Sequence, residues 1–256
     1  MTVSPNQQLQ ILPTVPELGQ AAAAYVARLS AQALAERGRF TVALSGGSLP
    51  GLVGPALAAE PWRSQIDWTG WRVFWADERC VPLDHPDSNF RLAREHLLNR
   101  INIPLAQIYP LNDSFEPAAT AQAYQALLAQ LFQPAAGQPP RFDLMLLGLG
   151  EDGHTASLFP NHPLLAETGR WVVAIFDSPK PPPERITMTL PLINQARAVA
   201  FVAAGAGKAD ILAQIWDTAA PTGSLPAQLV RPTDGELVWF VDEAAAARLK
   251  IRQREE

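Results

Sequence analysis

The chain predicts an α/β fold, a mainly parallel sheet with helices on both faces, and three observations carry that expectation. Short apolar runs alternate with helix-like segments along most of the sequence. The runs are apolar at successive positions, as in strands buried on both faces, and do not alternate with polar residues. Two of them break straight into glycine-rich turns, Ser45-Gly46-Gly47-Ser48 and Gly148-Leu149-Gly150-Glu151-Asp152-Gly153-His154. Open α/β sheets hold their ligands at such strand ends.

Taken in order, Leu18 to Glu36 is rich in Ala, Leu and Gln and stops at Gly38, a helix with a glycine terminator. Phe40 to Leu44 is a buried strand, and Leu49 to Ala59 a helix that tolerates Pro50 in its first turn. Trp71 to Ala76 is the next strand and ends at Asp77-Glu78-Arg79. Asp87 or Ser88 caps a helix running to Leu98. Pro117 to Phe132 is helical and Gln133 to Pro140 a breaker-rich connection. Strands follow at Phe142 to Leu147, Trp171 to Phe176, Arg185 to Leu190, Ala198 to Ala203 and Leu237 to Val241. The proline-rich loop Ser178 to Pro183 precedes Arg185, and helices are expected at Lys208 to Trp216 and Glu243 to Lys250.

With 256 residues, 48% hydrophobic and 18% charged, the chain can bury a large core and does not have a disordered composition. No internal repeat or long linker divides it, so residues 1–256 are expected to form one domain. A formal charge of −5 disfavours broad nucleic-acid binding, while leaving room for a local cationic pocket. Cys80 is the only cysteine, which rules out an intrachain disulfide or a cysteine-rich zinc site. Met1 to Gln10 lacks a secretory pattern, and no run of about 18 apolar residues suggests a membrane span. The expectation is a cytoplasmic protein. Sequence leaves the oligomeric state open.

Ser45-Gly46-Gly47-Ser48 joins a strand to a helix. Glycines let backbone N–H groups approach an anion, and the helix N-terminus and serine hydroxyls add to the attraction. A plain turn with Ser48 as helix cap is the competing reading. Gly148 to Gly153 formally matches the dinucleotide pattern GxGxxG, but its two carboxylates would repel a pyrophosphate and Pro160 soon interrupts any helix. His154 follows two carboxylates, Glu151 and Asp152, and a neighbouring carboxylate can orient an imidazole for general-base work. His85, His96 and His162 show no metal spacing, so no metal is called for.

Asp77-Glu78-Arg79 is either a charged strand end facing water or a site where Arg79 holds a phosphate or steadies an oxyanion. Arg185 and Lys208, each alone, read as solvated surface charges. Gathered around Ser45 to Ser48 they would make a phosphate pocket, if strand order brings them together.

Taken as a set, these residues resemble the glucosamine-6-phosphate isomerase/6-phosphogluconolactonase family. The resemblance spans Phe40 to Val241. It rests on Leu44 to Ser48, Trp75-Ala76-Asp77-Glu78-Arg79-Cys80-Val81-Pro82, Ser88-Asn89, Gly148 to Pro160 and Arg185-Ile186-Thr187-Met188-Thr189. It implies a Rossmann-like fold and, on the lactonase side, hydrolysis of 6-phospho-D-glucono-1,5-lactone to 6-phosphogluconate in the pentose phosphate pathway, without cofactor.

In that reading His154 is the general base, Arg79 the leading oxyanion donor with backbone N–H groups as the alternative, and Asp152 either orients His154 or is structural. Ser45, Gly46, Gly47, Ser48, Arg185 and Lys208 would hold the phosphate, and Asp77 would pair with Arg79 or with substrate hydroxyls. The related deaminases carry a glutamate five residues past the loop histidine, where this chain has Phe159. That departure favours lactone hydrolysis. The alternatives are a deaminase or isomerase of amino-sugar phosphates and a non-catalytic phosphosugar-binding protein.

Overall fold

A computed structural model describes residues 7–111, 116–217 and 225–250. The strands are β1 (Gln7–Leu12), β2 (Phe40–Leu44), β3 (Trp71–Trp75), β4 (Asp77–Arg79), β5 (Leu144–Gly148), β6 (Val172–Ile175), β7 (Arg185–Met188), β8 (Ala198–Ala203) and β9 (Glu236–Asp242). Six of them form one sheet in the order β1-β9-β8-β5-β2-β3, with every neighbouring pair parallel. β2 and β8 are buried along their whole length, as strands covered on both faces must be.

The chain moves from β2 to β3 on one side, and later lays β5 against the other side of β2. This reversal opens a crevice at the carboxyl ends of β2 and β5, the position where doubly wound sheets place ligands. The expected α/β architecture is therefore present. Apolar side chains drive it, with Trp71, Phe74, Phe142, Phe201 and Trp239 among the large groups fully buried on the sheet.

The long first helix, Val15–Arg37, is capped by Thr14 and ends on Gly38 at φ 67°, a left-handed turn that glycine makes without strain. Leu49–Leu57 follows the serine-glycine turn and stops two residues before the expected Ala59. Ser88, one of the two expected caps, accepts a hydrogen bond from Arg91 N at the start of Asn89–His96. Pro117–Phe132 matches its sequence boundaries. The last two helices are shorter or later than expected, Ala209–Asp217 after a 3-10 turn at Ala206–Lys208 and Glu243–Ala246. No helix among the described residues is long and apolar enough to cross a membrane.

Two features depart from expectation. β1 is an edge strand where the sequence predicts no element, and Met1 to Asn6 before it lie outside the described residues. Asp77–Arg79 is not a water-facing strand end. It is a strand of its own in a second, antiparallel sheet ordered β4-β7-β6. Ala76 is the seam between the sheets. Its N–H donates to Leu44 O of the large sheet at 2.9 Å, and its carbonyl accepts from Met188 N of the small one at 2.7 Å.

Candidate active site

Ser45 N donates to Leu146 O at 3.0 Å, so the pairing of β2 with β5 continues into the turn that follows. Gly47 takes φ +66°, and Gly46 has no room for a β-carbon because the Asn89 side chain fills that space. Ser48 stands at the helix N-cap position without making a side-chain capping bond, which sets aside the plain-cap reading. The Ser45 hydroxyl is buried and has no partner among the described residues. All four residues line an open cavity of about 400 Å³.

The second turn reaches the same cavity from β5. Gly150 N donates to His154 O at 2.8 Å and Gly153 N to Gly150 O at 3.0 Å, which folds the loop back and delivers the imidazole. Gly150 must be glycine, because a β-carbon there would overlap the His154 ring and the Asp152 carboxylate. Asp152 Oδ1 is hydrogen-bonded to His154 Nδ1. An ionised Asp152 can only accept, so Nδ1 donates, and in the neutral tautomer the lone pair falls on Nε2, which makes no hydrogen bond among the described residues. The side chain is 19% exposed, lines the cavity and is not turned into the interior.

Partial burial raises the Asp152 pKa, but hydrogen bonds and charge from His154, with Lys180 behind them, outweigh it. The carboxyl is held well below the usual carboxylate range. Asp152 does not itself line the cavity. It touches the site through His154. Phe159, 1% exposed, supports the imidazole with its ring centroid 4.8 Å away.

The small sheet supplies the opposite wall. Arg79 and Arg185 are register partners across β4 and β7, and both line the cavity. Arg79 Nη1 donates to Asp87 O at 2.8 Å, while its Nε is buried with no partner. Arg185 is 2% exposed and is not the solvated surface charge read from sequence. Its Nε donates to Pro182 O at 2.9 Å, and its Nη2 to Lys180 O at 2.8 Å and Pro181 O at 3.1 Å. Burial first, and then repulsion from the Arg79 charge, lowers the Arg185 pKa. An anion between them would relieve that repulsion.

Asp77 and Glu78 are each 3% exposed. Asp77 forms no ion pair with Arg79 among the described residues. Its Oδ2 instead accepts from Ser157 Oγ at 2.9 Å, and its Oδ1 is buried and unpartnered where the residue lines the cavity. Lys208 also lines the cavity, and burial, opposed by the charge of Glu151, lowers its pKa.

Sequence reasoning missed Lys180, which lines the same cavity with Nζ 3.5 Å from Asp152 Oδ2. A cation inside a proline-rich loop just before Arg185 was the available signal. No group of three or more His, Cys, Asp or Glu side chains placed to hold a metal ion occurs among the described residues.

Residues 13–239 match the family described as glucosamine-6-phosphate isomerases/6-phosphogluconolactonase. The chain belongs to that family. It is 46% identical over 239 residues to a probable chloroplastic 6-phosphogluconolactonase 3 of Oryza sativa subsp. indica, covering 91% of this chain and 73% of the relative. It is 44% identical to a probable 6-phosphogluconolactonase 1 of Arabidopsis thaliana, covering 88% of this chain and 87% of that one.

Among solved structures, the 6-phosphogluconolactonase of Trypanosoma brucei superposes with a TM-score of 0.84 at 31% identity, over 95% of this chain and 98% of the other. A monomeric glucosamine-6-phosphate deaminase, at 20% identity and a TM-score of 0.73, shares the fold alone. The curated relatives and the Trypanosoma brucei structure are 6-phosphogluconolactonases, and the enzyme class they support for this chain is lactone hydrolase.

Proposed function

We propose that the protein hydrolyses 6-phospho-D-glucono-1,5-lactone to 6-phosphogluconate, with His154 as general base. The observation that carries this reading is the Asp152–His154 pair, whose imidazole lines a cavity walled on its far side by Arg185 and by Arg79, the latter with an unpartnered Nε. Water held at Nε2 gives up a proton as its oxygen bonds to the lactone carbonyl carbon. Charge then develops on the carbonyl oxygen, where Arg79 and backbone N–H groups stabilise it. Collapse breaks the bond from that carbon to the ring oxygen, and His154 returns its proton to the departing oxygen. The carboxylic acid product ionises in solvent, so atoms and charge balance without a covalent enzyme intermediate.

Ser45, Gly46, Gly47, Ser48, Arg185 and Lys208 hold the distant phosphate, converting its affinity into orientation of the carbonyl over the imidazole. Asp77 Oδ1 is assigned to a sugar hydroxyl, which would satisfy its missing partner. Residues 1–256 act in this reading as one catalytic domain, supported by cavity walls drawn from both sheets. The cytoplasm, a reducing compartment, suits a chain with the lone Cys80, and subcellular fractionation checks it against the chloroplastic rice relative.

The deaminase alternative lacks its carboxylate, because buried Phe159 occupies that position and packs on the imidazole. Acid release from freshly generated 6-phosphogluconolactone, compared with spontaneous opening, tests the proposal. Ammonia release from glucosamine 6-phosphate, or product binding without acceleration, would replace it.

A further inference from the structure

The chemistry proposed above leaves one buried carboxylate beside the cavity unused. Glu78 lies between two residues that line the cavity, Asp77 and Arg79, but points the other way, toward the start of Asn89–His96. Its Oε1 accepts from Arg79 N at 2.8 Å and Asn89 N at 2.7 Å, and its Oε2 from Phe90 N at 2.8 Å and Ser88 Oγ at 3.2 Å. Four donors therefore converge on one carboxylate from two elements. The helix already has a cap in Ser88, and Glu78 takes the first-turn N–H groups that Ser88 does not reach.

What Glu78 fixes lies next to the reacting groups. Asn89, seated by its own N–H, donates Nδ2 to Asp77 O at 2.9 Å and fills the space against Gly46. One carboxylate thus joins the backbone of Arg79 to the residue underlying the serine-glycine turn.

We propose that Glu78 is a positioning residue for the reaction, its ionised carboxylate clamping β4 to the Asn89–His96 helix so that Arg79 and the Ser45–Ser48 turn keep their spacing. This inference rests on the lactonase reading of the site. A protonated carboxyl carries less negative charge and puts a hydrogen where an acceptor is needed, so it cannot serve all four donors.

The clamp is also sensitive to pH. Burial raises the Glu78 pKa to about 7, against the pull of the Asn89, Phe90 and Arg79 N–H groups and with a small push from Asp77. The other titratable groups within its field are Cys80, pushed up to about 12, and Tyr124, raised by burial. Both stay neutral between about pH 6 and 8. Glu78 is the member of this group whose charge changes there.

The test is the pH dependence of kcat/KM on 6-phosphogluconolactone generated in situ, for the wild type and Glu78→Gln. The wild-type acid limb should steepen toward two protons, one for His154 and one for Glu78. In Glu78→Gln the limb should follow one proton, and the plateau should lie about tenfold lower because N–H donors lose their acceptor. A variant with the wild-type slope and plateau overturns the inference.

If Glu78→Gln does not fold, Asn89→Ala decides, since it should lower the plateau severalfold while keeping the two-proton limb. A one-proton limb in the wild type overturns the inference in that case. Calorimetric binding of 6-phosphogluconate provides a readout independent of turnover. Affinity should weaken as pH falls through about 7 in the wild type and lose that component in Glu78→Gln. If the wild type does not accelerate lactone opening, the lactonase reading fails, and the binding data still judge Glu78.

Discussion

The two walls of the cavity are built on different principles. At the ends of β2 and β5, Ser45–Ser48 and Gly148–His154 present glycine-rich main chain and one imidazole, and Gly46 and Gly150 have no room for a β-carbon. At β4 and β7 the functional atoms are guanidinium groups, anchored on carbonyls such as Asp87 O and Pro182 O. The first wall sets direction with little electrostatic cost. The second sets two arginines in register across β4 and β7, where a bound anion would offset their like charge. In the proposed mechanism the difference separates the labour: proton transfer falls to the loop after β5, and Arg79 and Arg185 on the antiparallel sheet face the oxyanion and the phosphate.

Substitutions can break this division. On the parallel wall, His154→Ala should lower kcat by roughly 10²–10⁴-fold, and near-normal turnover would remove the general-base assignment. On the opposite wall, Arg79→Ala should cost about 10²–10³-fold in kcat if it faces the oxyanion. A loss confined to KM would move Arg79 to the phosphate instead. Gly150→Ala forces a methyl into the His154 ring and should cost about 10- to 100-fold in kcat with the fold intact by circular dichroism.

Lys208→Ala should act mainly through KM, by about tenfold, and should have no effect on an unphosphorylated lactone. Equal losses on both lactones would detach Lys208 from the phosphate.

The smallest effect is on stability, and the two walls should differ in sign. The folded state binds the Glu78 proton more tightly than the unfolded chain does. Its contribution to stability therefore falls as pH rises from 4.5 to about 7 and is flat beyond. Asp152 is held below its ordinary 3.8, so its contribution is present above that value and is lost as pH falls further. Melting curves of Glu78→Gln should lack the first dependence and those of Asp152→Asn the second.

The same division governs what the sequence reveals. The parallel wall is legible because continuous apolar runs such as Phe40–Leu44 and Leu144–Leu147 end abruptly in glycines. β4 is three residues long and rich in charge, too short for periodicity, so its pairing with β7 depends on tertiary register. β1 was missed because Gln7, Gln8 and Gln10 mask an edge strand that is only partly buried. Arg185 was legible as a cation but not as the anchor of the loop before it, since carbonyl acceptors leave no mark in a sequence. Lys180 was hidden by the prolines around it.

Ala76 gives the molecule a property that no single side chain could. One residue's main chain bonds to both sheets, so the strands that carry the imidazole and the guanidinium groups are joined through backbone hydrogen bonds. Changing pocket width to admit a larger sugar acid would require remodelling that joint. Substrates of other sizes are more easily accommodated outside that joint, where Lys180 lies in a loop and Lys208 ends a 3-10 turn.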